Sequence, residues 1–356
     1  MRSLIALFCV VSSSAGPAIY GVSLDCEKKL FCPTSTVNLV AAADAAKPQD
    51  LIVASNLAPA EKSKLARETR TLTAKDASGA VYALVMDPSQ PSAVLLTLNG
   101  TTSSSVPAAA ALSHARTLSA FPAPVGLVAS TADGKLYAVD ASTGGVTALP
   151  VALPAGLENA GVATTDGASR LFLVCNDHDP AADDDPAAAQ TAATEAPQPM
   201  WYVAALDLLR NTATLSAGAP HDSSTDSTTC VGLHYNATHS AGPLTLDSAA
   251  AIVSTILGPA LGTLNLANAS DFTVLPAGLL GLVYLGYDAP DALQSPQATF
   301  LDGEVFYAAM DYDGTDDDDG ATGARMTWVD FSAPKKDRVI NFAEKADRVS
   351  TGLLVA

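Results

Sequence analysis

The acidic run at residues 311–320 is the part of this chain best suited to chemistry. Its sequence, DYDGTDDDDG, sets several carboxylates around two glycines that permit a tight loop. Calcium ions bind about six to eight such oxygen ligands on a flexible backbone. The run therefore predicts a Ca²⁺ site, although it lacks the closing glutamate of an EF-hand, and the alternative is a solvated hairpin tip without metal. The predicted ligands are Asp311, Asp313, Asp316 and Asp318.

A second acidic segment begins near Asn176 and is interrupted by Pro180 and Pro186. Residues 177–200 are dominated by alanine, aspartate, proline and threonine. A segment of this composition has too little apolar surface to order itself. We therefore predict a mobile acidic insertion at 177–200.

The sequence contains no recognisable catalytic motif, such as a nucleophile elbow, a zinc-binding helix or a phosphate-binding loop. His178–Asp179 and His221–Asp222 could each pair a base with an orienting carboxylate, but adjacent side chains on a strand point to opposite faces. The sequence thus favours a non-catalytic protein and surface positions for the histidines. The five histidines are His114, His178, His221, His234 and His239.

The charge of the chain excludes one large class of function. Aspartate and glutamate number 37 against 19 lysines and arginines, a formal net charge of −18. A protein of this sign repels phosphate backbones, so it lacks the electrostatic attraction that dominates nucleic-acid binding. After the N-terminal region, no apolar run approaches the roughly 18 residues that a membrane span needs.

The N-terminus has the layout of a secretory signal. Arg2 supplies a positive charge, residues 4–11 are apolar, and Ser13 and Ala15 are small residues of the kind that signal peptidase reads. We predict a signal peptide at residues 1–18, cleaved near Ala15 or Ala18, and a secreted or lumenal protein. A buried first strand is the alternative.

Glycosylation triplets and cysteines agree with export. Asn99, Asn236 and Asn268 each begin an Asn-x-Ser/Thr triplet without proline. Once Cys9 leaves with the signal, an even number of cysteines remains, which suggests two disulfides with three possible pairings. We favour Cys26 with Cys32 and Cys175 with Cys230.

Residues 134–150, GKLYAVDASTGGVTALP, are typical of a strand, a tight turn and a second strand. Fainter copies recur, with a degenerate one at residues 264–267. A small sheet with two apolar faces cannot bury both alone, whereas a closed ring of such sheets buries all of them. The apolar runs of the repeat end at Asp44, Asp87, Asp140, Asp207 and Asp330.

We therefore predict an all-β chain that forms a single β-propeller over residues 19–356. The repeat indicates six blades, with room for a seventh in 284–310, and the terminal residues 352–355 could close the first blade. Two β-sandwich domains are the alternative.

Residues 136–144 resemble the quinoprotein-like and YVTN-type propeller families, whose blades carry Leu-Tyr-Ala-Val-Asp and a turn ending in Thr-Gly. This resemblance implies a propeller fold and no particular activity, because unrelated propellers share the turn. Quinone-dependent members join their blades with tryptophans, and Trp201 and Trp328 are the only two here.

Taken together, the sequence favours a secreted binding module with a protein or carbohydrate partner on one loop face of the ring. Calcium is the one cofactor that its composition suggests. The alternatives are a calcium-dependent hydrolase resembling the gluconolactonase-like propellers, or an extracellular structural protein that binds calcium loosely.

Overall fold

The computed structural model describes seventeen stretches of the chain, and it describes side-chain packing within residues 71–274. Those stretches are residues 19–25, 31–32, 35–42, 49–57, 60–61, 70–87, 92–99, 102–177, 200–220, 230–235, 247–255, 258–274, 297–301, 304–312, 324–330, 338–341 and 348–355. Within them, no helix has the length and hydropathy that crossing a membrane requires.

The described strands form five antiparallel sheets of four strands and one of five, which we number as blades 1 to 6 in chain order. The strands before blade 3 are β1 (Ile19–Asp25), β2 (Phe31–Cys32), β3 (Ser35–Ala42), β4 (Gln49–Leu57), β5 (Ala60–Glu61), β6 (Arg70–Lys75), β7 (Val81–Asp87), β8 (Ser92–Asn99) and β9 (Thr102–Ala108). Blade 2 has the order β6-β7-β8-β9, while β2 pairs only with β5. A short 3-10 helix, Ala110–His114, leads into blade 3.

Blades 3 and 4 repeat this meander. Blade 3 consists of β10 (Ala115–Ala120), β11 (Leu127–Thr131), β12 (Lys135–Val139) and β13 (Val146–Ala152). Blade 4 consists of β14 (Leu157–Thr165), β15 (Arg170–Asp177), β16 (Met200–Asp207) and β17 (Thr212–Leu215), with β18 (Ala219–Pro220) also paired to β16.

Blades 5 and 6 follow blade 4 in sequence. Blade 5 consists of β19 (Cys230–Tyr235), β20 (Ser248–Thr255), β21 (Gly258–Asn265) and β22 (Asn268–Val274). Blade 6 consists of β23 (Gln297–Leu301), β24 (Glu304–Tyr312), β25 (Ala324–Asp330) and β26 (Arg338–Asn341). The last strand, β27 (Arg348–Val355), joins blade 1, whose order is β27-β1-β3-β4.

We count the strands of each blade in its sheet order, so that β27 is the first strand of blade 1. The first strand of each blade contacts the first strands of its two neighbours, and these contacts form a closed cycle. In order, β27 contacts β6, β6 contacts β10, β10 contacts β14, β14 contacts β19, β19 contacts β23, and β23 returns to β27. Sheets arranged around an axis by their inner strands form a β-propeller. This confirms the propeller prediction, and the alternative of two sandwiches is wrong because each sheet has two neighbours rather than one facing partner.

The ring closes where the sequence predicted. Ile19 lies opposite Val355 and Tyr20 opposite Leu354, so both ends of the chain build blade 1. The region 284–310 supplies the first two strands of blade 6, and the described strands contain no seventh four-stranded sheet.

Both faces of a blade are buried, which explains the apolar runs in the sequence. On β15, Leu171, Leu173 and Cys175 pack in a cluster with blade 3, whereas Phe172 and Val174 pack in a cluster with blade 5. A third cluster joins blades 2 and 3 through residues such as Leu95. A strand with two buried faces is apolar throughout rather than alternating, and one blade cannot fold alone.

Because the strands alternate in direction, the connections separate into two ends of the ring. The turn end holds the connections between first and second and between third and fourth strands, such as residues 76–80 and 140–145. The linker end holds the connections between second and third strands, such as residues 132–134, and the links between blades.

One copy of the repeat occupies a different strand from the others. Asp140 directly follows a third strand, and Asp207 and Asp330 end third strands, whereas Asp87 ends β7, the second strand of blade 2. In that blade the third strand ends at Asn99, which lies opposite Thr102 in the outer hairpin. The sequence repeat includes Asp87 because β7 and β8 are both apolar runs that end in a small turn-forming residue, so the sequence does not distinguish the two strands.

Candidate functional site

The aspartate of the clearest repeat shapes its own turn. The Asp140 carboxylate accepts hydrogen bonds from the Ser142 backbone N–H at 2.8 Å and the Ser142 hydroxyl at 2.7 Å. The hydrogen bonds from Ser142 lower the pKa of Asp140. Gly144 closes the turn at φ +71°, against Pro107 of blade 2. The carboxylate therefore stabilises the turn in which it lies.

Asp76 has the same role in the turn between the first two strands of blade 2. One of its oxygens accepts the backbone N–H groups of Ser78 and Ala80, each at 2.9 Å, and the other accepts the Tyr82 hydroxyl at 3.0 Å. Burial alone would raise the pKa of Asp76, but a hydrogen bond from the Ser78 hydroxyl at 2.6 Å and the three hydrogen bonds above outweigh it, so the pKa is lowered.

Among the described side chains, a cluster of charged and polar groups joins blades 4 and 5 near the turn end. We call Asp166, Arg170, Tyr235 and Asp247 the Arg170 cluster. Arg170 donates from Nε to Asp166 at 2.8 Å and from its two terminal nitrogens to Asp247 at 2.5 and 3.2 Å. The Tyr235 hydroxyl donates to Asp247 at 2.8 Å and accepts from Arg170 at 3.2 Å.

Aromatic packing holds this cluster in place. The rings of Phe172 and Tyr235 stack with centroids 5.3 Å apart and an interplanar angle of 9°. The Arg170 guanidinium carbon lies 5.3 Å from the first centroid and 5.8 Å from the second, within range of a cation–π interaction. The Tyr235 backbone N–H also donates to Thr164 on β14 at 2.8 Å.

The pKa shifts within the Arg170 cluster favour a structural role for it. Hydrogen bonding to Arg170 lowers the pKa of Asp247, and hydrogen bonding to Asp247 raises the pKa of Arg170. Burial would raise the pKa of Asp166, but hydrogen bonds from Arg170 outweigh it and the pKa is lowered. All three charged groups are therefore ionised near neutral pH. A general acid or base needs a pKa near the working pH, so this cluster is suited to fastening blades rather than to proton transfer.

A buried polar network joins blades 3 and 4. Asn159 on β14 donates to the Ser130 hydroxyl at 2.6 Å, and Ser130 shares a short hydrogen bond with Thr117 on β10. Gly161, at φ +85°, donates its N–H to Asn159 at 2.9 Å. All three polar side chains are buried and partnered, so this network specifies how the inner strands meet.

The favoured disulfide between Cys175 and Cys230 is not formed, and both residues are free buried thiols. Cys175 faces blade 3, whereas Cys230 lies in the cluster between blades 4 and 5. The sheet of blade 4 therefore separates them, because side chains alternate across a strand. Burial raises the pKa of each thiol to about 12, which keeps both protonated and unreactive. Cys26 and the side chain of Cys32 lie outside the described residues.

The predicted calcium ligands fall at a hairpin of blade 6. Asp311 is the penultimate residue of β24 and lies opposite Arg325, and Asp313, Asp316 and Asp318 lie outside the described residues. Among described side chains, no group of three could hold a metal ion. The calcium site therefore stays a prediction.

Strand order reveals a relation that the sequence alone did not show. The acidic insertion connects Asp177 at the end of β15 to Met200 at the start of β16, and the acidic run connects β24 to β25. Both are connections between second and third strands, so their strand ends lie at the linker end. Neither connecting sequence, 178–199 nor 313–323, contains a lysine or arginine.

The glycosylation triplets belong to the opposite end. Asn99 ends a third strand, Asn268 begins the fourth strand of blade 5, and Asn236, outside the described residues, follows β19 in sequence. All three adjoin connections of the turn end. Of the histidines, His178, His221 and His239 also lie outside the described residues, while His114 ends the 3-10 helix and is exposed.

No protein-family model and no curated protein matches the chain. Among solved structures, AztD from Citrobacter koseri is similar over 96% of this chain and 98% of its own, with 10% identity and a TM-score of 0.40. An oligogalacturonate lyase from Vibrio parahaemolyticus is similar over 90% of this chain and 84% of its own, with 9% identity and a TM-score of 0.37. The β-propeller domain of the Trilobed protease from Pyrococcus furiosus is similar over 93% of this chain and 83% of its own, with 9% identity and a TM-score of 0.38. The assignment of this chain as a β-propeller rests on its own strand topology.

Proposed function

We propose that this chain is an exported, non-catalytic β-propeller that binds a partner at its linker end. The observation that carries the proposal is the placement of both acidic segments, 178–199 and 313–323, between strand ends of that end of the ring. Connections carried on a rigid scaffold are where binding residues concentrate. The proposed partner is a protein or a carbohydrate, and the charge of the two segments favours a protein with a basic surface.

The chemistry of the described side chains supports binding over catalysis. The carboxylates of Asp76, Asp140 and Asp166 accept backbone N–H groups of their own turns. The two described thiols, Cys175 and Cys230, are buried and protonated. These groups already have structural partners, so using them as acids, bases or nucleophiles would disrupt the blades.

Export is part of the proposal, and the fold is compatible with it. Strand β1 begins at Ile19, so removing residues 1–18 would remove none of the described strands. The test is to express the natural chain in eukaryotic cells and sequence the N-terminus of the secreted product. We expect a terminus after Ala15 or Ala18, whereas an intracellular chain that retains Met1 would contradict export.

The binding site is tested with charge variants within one blade. D316N/D317N removes two charges from the acidic run, and D302N/D337N removes two charges from connections at the turn end of blade 6. The probes are a panel of purified cationic extracellular proteins and an array of neutral oligosaccharides, measured against the immobilised chain.

We expect at least one cationic protein of the panel to bind the wild-type chain. Its affinity should fall about tenfold for D316N/D317N and stay unchanged for D302N/D337N, because charges at the rim of an interface steer association. Weakening in the turn-end variant alone would contradict the assigned end. Turnover of any oligosaccharide would contradict the non-catalytic role.

A further inference from the structure

We propose that Asn99 carries an N-linked glycan and that Asn268 does not, so that sugar covers the turn end of the ring and leaves the linker end open. The inference rests on the proposed export, because N-linked glycans are added only to chains that enter the secretory pathway. Asn99 and Asn268 adjoin similar turns, each between the third and fourth strands of a blade, yet their surroundings differ.

Asn99 lies at an exposed position of an outer hairpin. It ends β8 and lies opposite Thr102, so only Gly100 and Thr101 separate the two strands of this outer hairpin. Its side chain is exposed, in contrast to the buried Leu98 beside it. A surface turn in an exported protein is the usual setting for this bulky modification.

Asn268 lies in a joint between two blades. Ala217, which follows the outer strand of blade 4, donates its N–H to Ala267 at 3.0 Å and accepts the N–H of Ala269 at 2.9 Å. Ala269 is 1% exposed and belongs to the core cluster of blades 4 and 5. The backbone on both sides of Asn268 is therefore fixed against the neighbouring blade.

Two side chains of the second triplet also make hydrogen bonds in the folded chain. The side-chain oxygen of Asn268 accepts the Ser270 N–H at 3.2 Å, and the Ser270 hydroxyl donates to the Gly218 carbonyl at 2.9 Å. Asn268 is half-buried, so a glycan added to it before folding would lie against this contact between blades 4 and 5. Glycosylation at Asn268 and correct docking of blades 4 and 5 thus compete, and a folded, secreted chain is one that escaped the modification.

The positions of the glycosylation triplets and of the acidic segments indicate which end of the ring is open to a partner. All three triplets adjoin the turn end, and both acidic segments join strand ends of the linker end. A glycan is large and hydrated, so it disfavours close docking around it. Modification at Asn99 would direct any partner of blade 2 toward the opposite end.

The experiment uses the full mature chain behind a strong heterologous secretory leader, in an N236Q background that leaves only Asn99 and Asn268 as acceptors. Intact mass of the secreted protein, before and after peptide N-glycosidase, counts the glycans. We expect one glycan in N236Q, one in N236Q/N268Q and none in N236Q/N99Q. The variant N236Q/T101A keeps the Asn99 side chain and should also carry none, which separates loss of modification from a folding defect at the turn.

A glycan retained in N236Q/N99Q would place sugar on Asn268 and overturn the inference. A secreted, leader-cleaved N236Q chain without any glycan would overturn it equally. Because the leader is supplied, failure of the natural residues 1–18 to direct export would contradict the proposed function without altering this result.

Discussion

Removing the Asp247 carboxylate should loosen blade 5 from blade 4. This side chain receives two hydrogen bonds from Arg170 and one from Tyr235, at 2.5, 3.2 and 2.8 Å. About a third of the Arg170 and Asp247 side chains is exposed. An exposed ion pair contributes about 0.2–1 kcal/mol to stability, and a buried hydrogen bond to a charged group contributes about 1.5–3 kcal/mol. The contribution of this pair should lie between these two ranges. We expect D247A to lower the free energy of unfolding by about 2 kcal/mol and D247N by about 1 kcal/mol.

Equilibrium denaturation in urea measures this loss, with D271N as the matched control. Asp271 is exposed and accepts one hydrogen bond from Asn265 of its own blade, at 3.1 Å, so its neutralisation should change the unfolding free energy by less than about 0.5 kcal/mol. If D247A and D271N unfold alike, the cluster does not fasten the blades.

The pH dependence of the same comparison tests the ion pair. The folded pKa of Asp247 lies below its ordinary value of 3.8. Its contribution is therefore fully present above that value and disappears as the pH falls through the folded pKa. The stability difference between the wild-type chain and D247N should be constant near neutral pH and shrink in acid, and a difference that grows in acid would refute the assigned charge.

Three other perturbations test particular contacts, each with its own measurement. G144A should lower the free energy of unfolding in urea by about 2 kcal/mol or more, because φ is +71° and a Cβ would lie 2.1 Å from the Pro107 carbonyl oxygen. G79A, at φ +89° with nothing within 4 Å of the added Cβ, should lower it less. Equal losses of stability would contradict the close approach of Gly144 to Pro107. Cys175 and Cys230 should resist maleimide at pH 8 until the chain unfolds and should give no joint peptide in non-reducing mass mapping, whereas a 175–230 bridge would contradict their placement on opposite sides of blade 4. If the run at 311–320 binds Ca²⁺, millimolar calcium should raise the melting temperature and D313N/D316N should abolish the rise, and an unchanged melting curve would contradict the site.

Much of the fold was predictable because its signals are local. The residues 134–150 predicted a strand, a turn and a strand, and the structure has β12 (Lys135–Val139), the Asp140 turn and β13 (Val146–Ala152). The apolar terminus predicted closure of the first blade, and β27 pairs with β1. These features follow from strand composition and turn residues that lie close together in sequence.

The contacts between blades were not predictable, because they join distant residues. Arg170 and Asp166 are four positions apart, but Arg170 meets Asp247 and Tyr235 at separations of 77 and 65 residues. The number of cysteines suggested a bridge, whereas the face of β15 on which Cys175 lies decided against it. The common end of the two acidic segments likewise follows from strand order, which no local pattern contains.

The closed ring is tested most directly by a cysteine pair across β1 and β27. Tyr20 lies opposite Leu354, and opposed residues of an antiparallel pair have the Cα separation that a disulfide requires. We predict that Y20C/L354C forms an intramolecular disulfide under mild oxidation, identified by peptide mapping, and that Y20C/L353C, shifted by one residue onto the other face, does not. Cross-linking of the shifted pair alone, or of neither, would contradict a propeller closed by its own two termini.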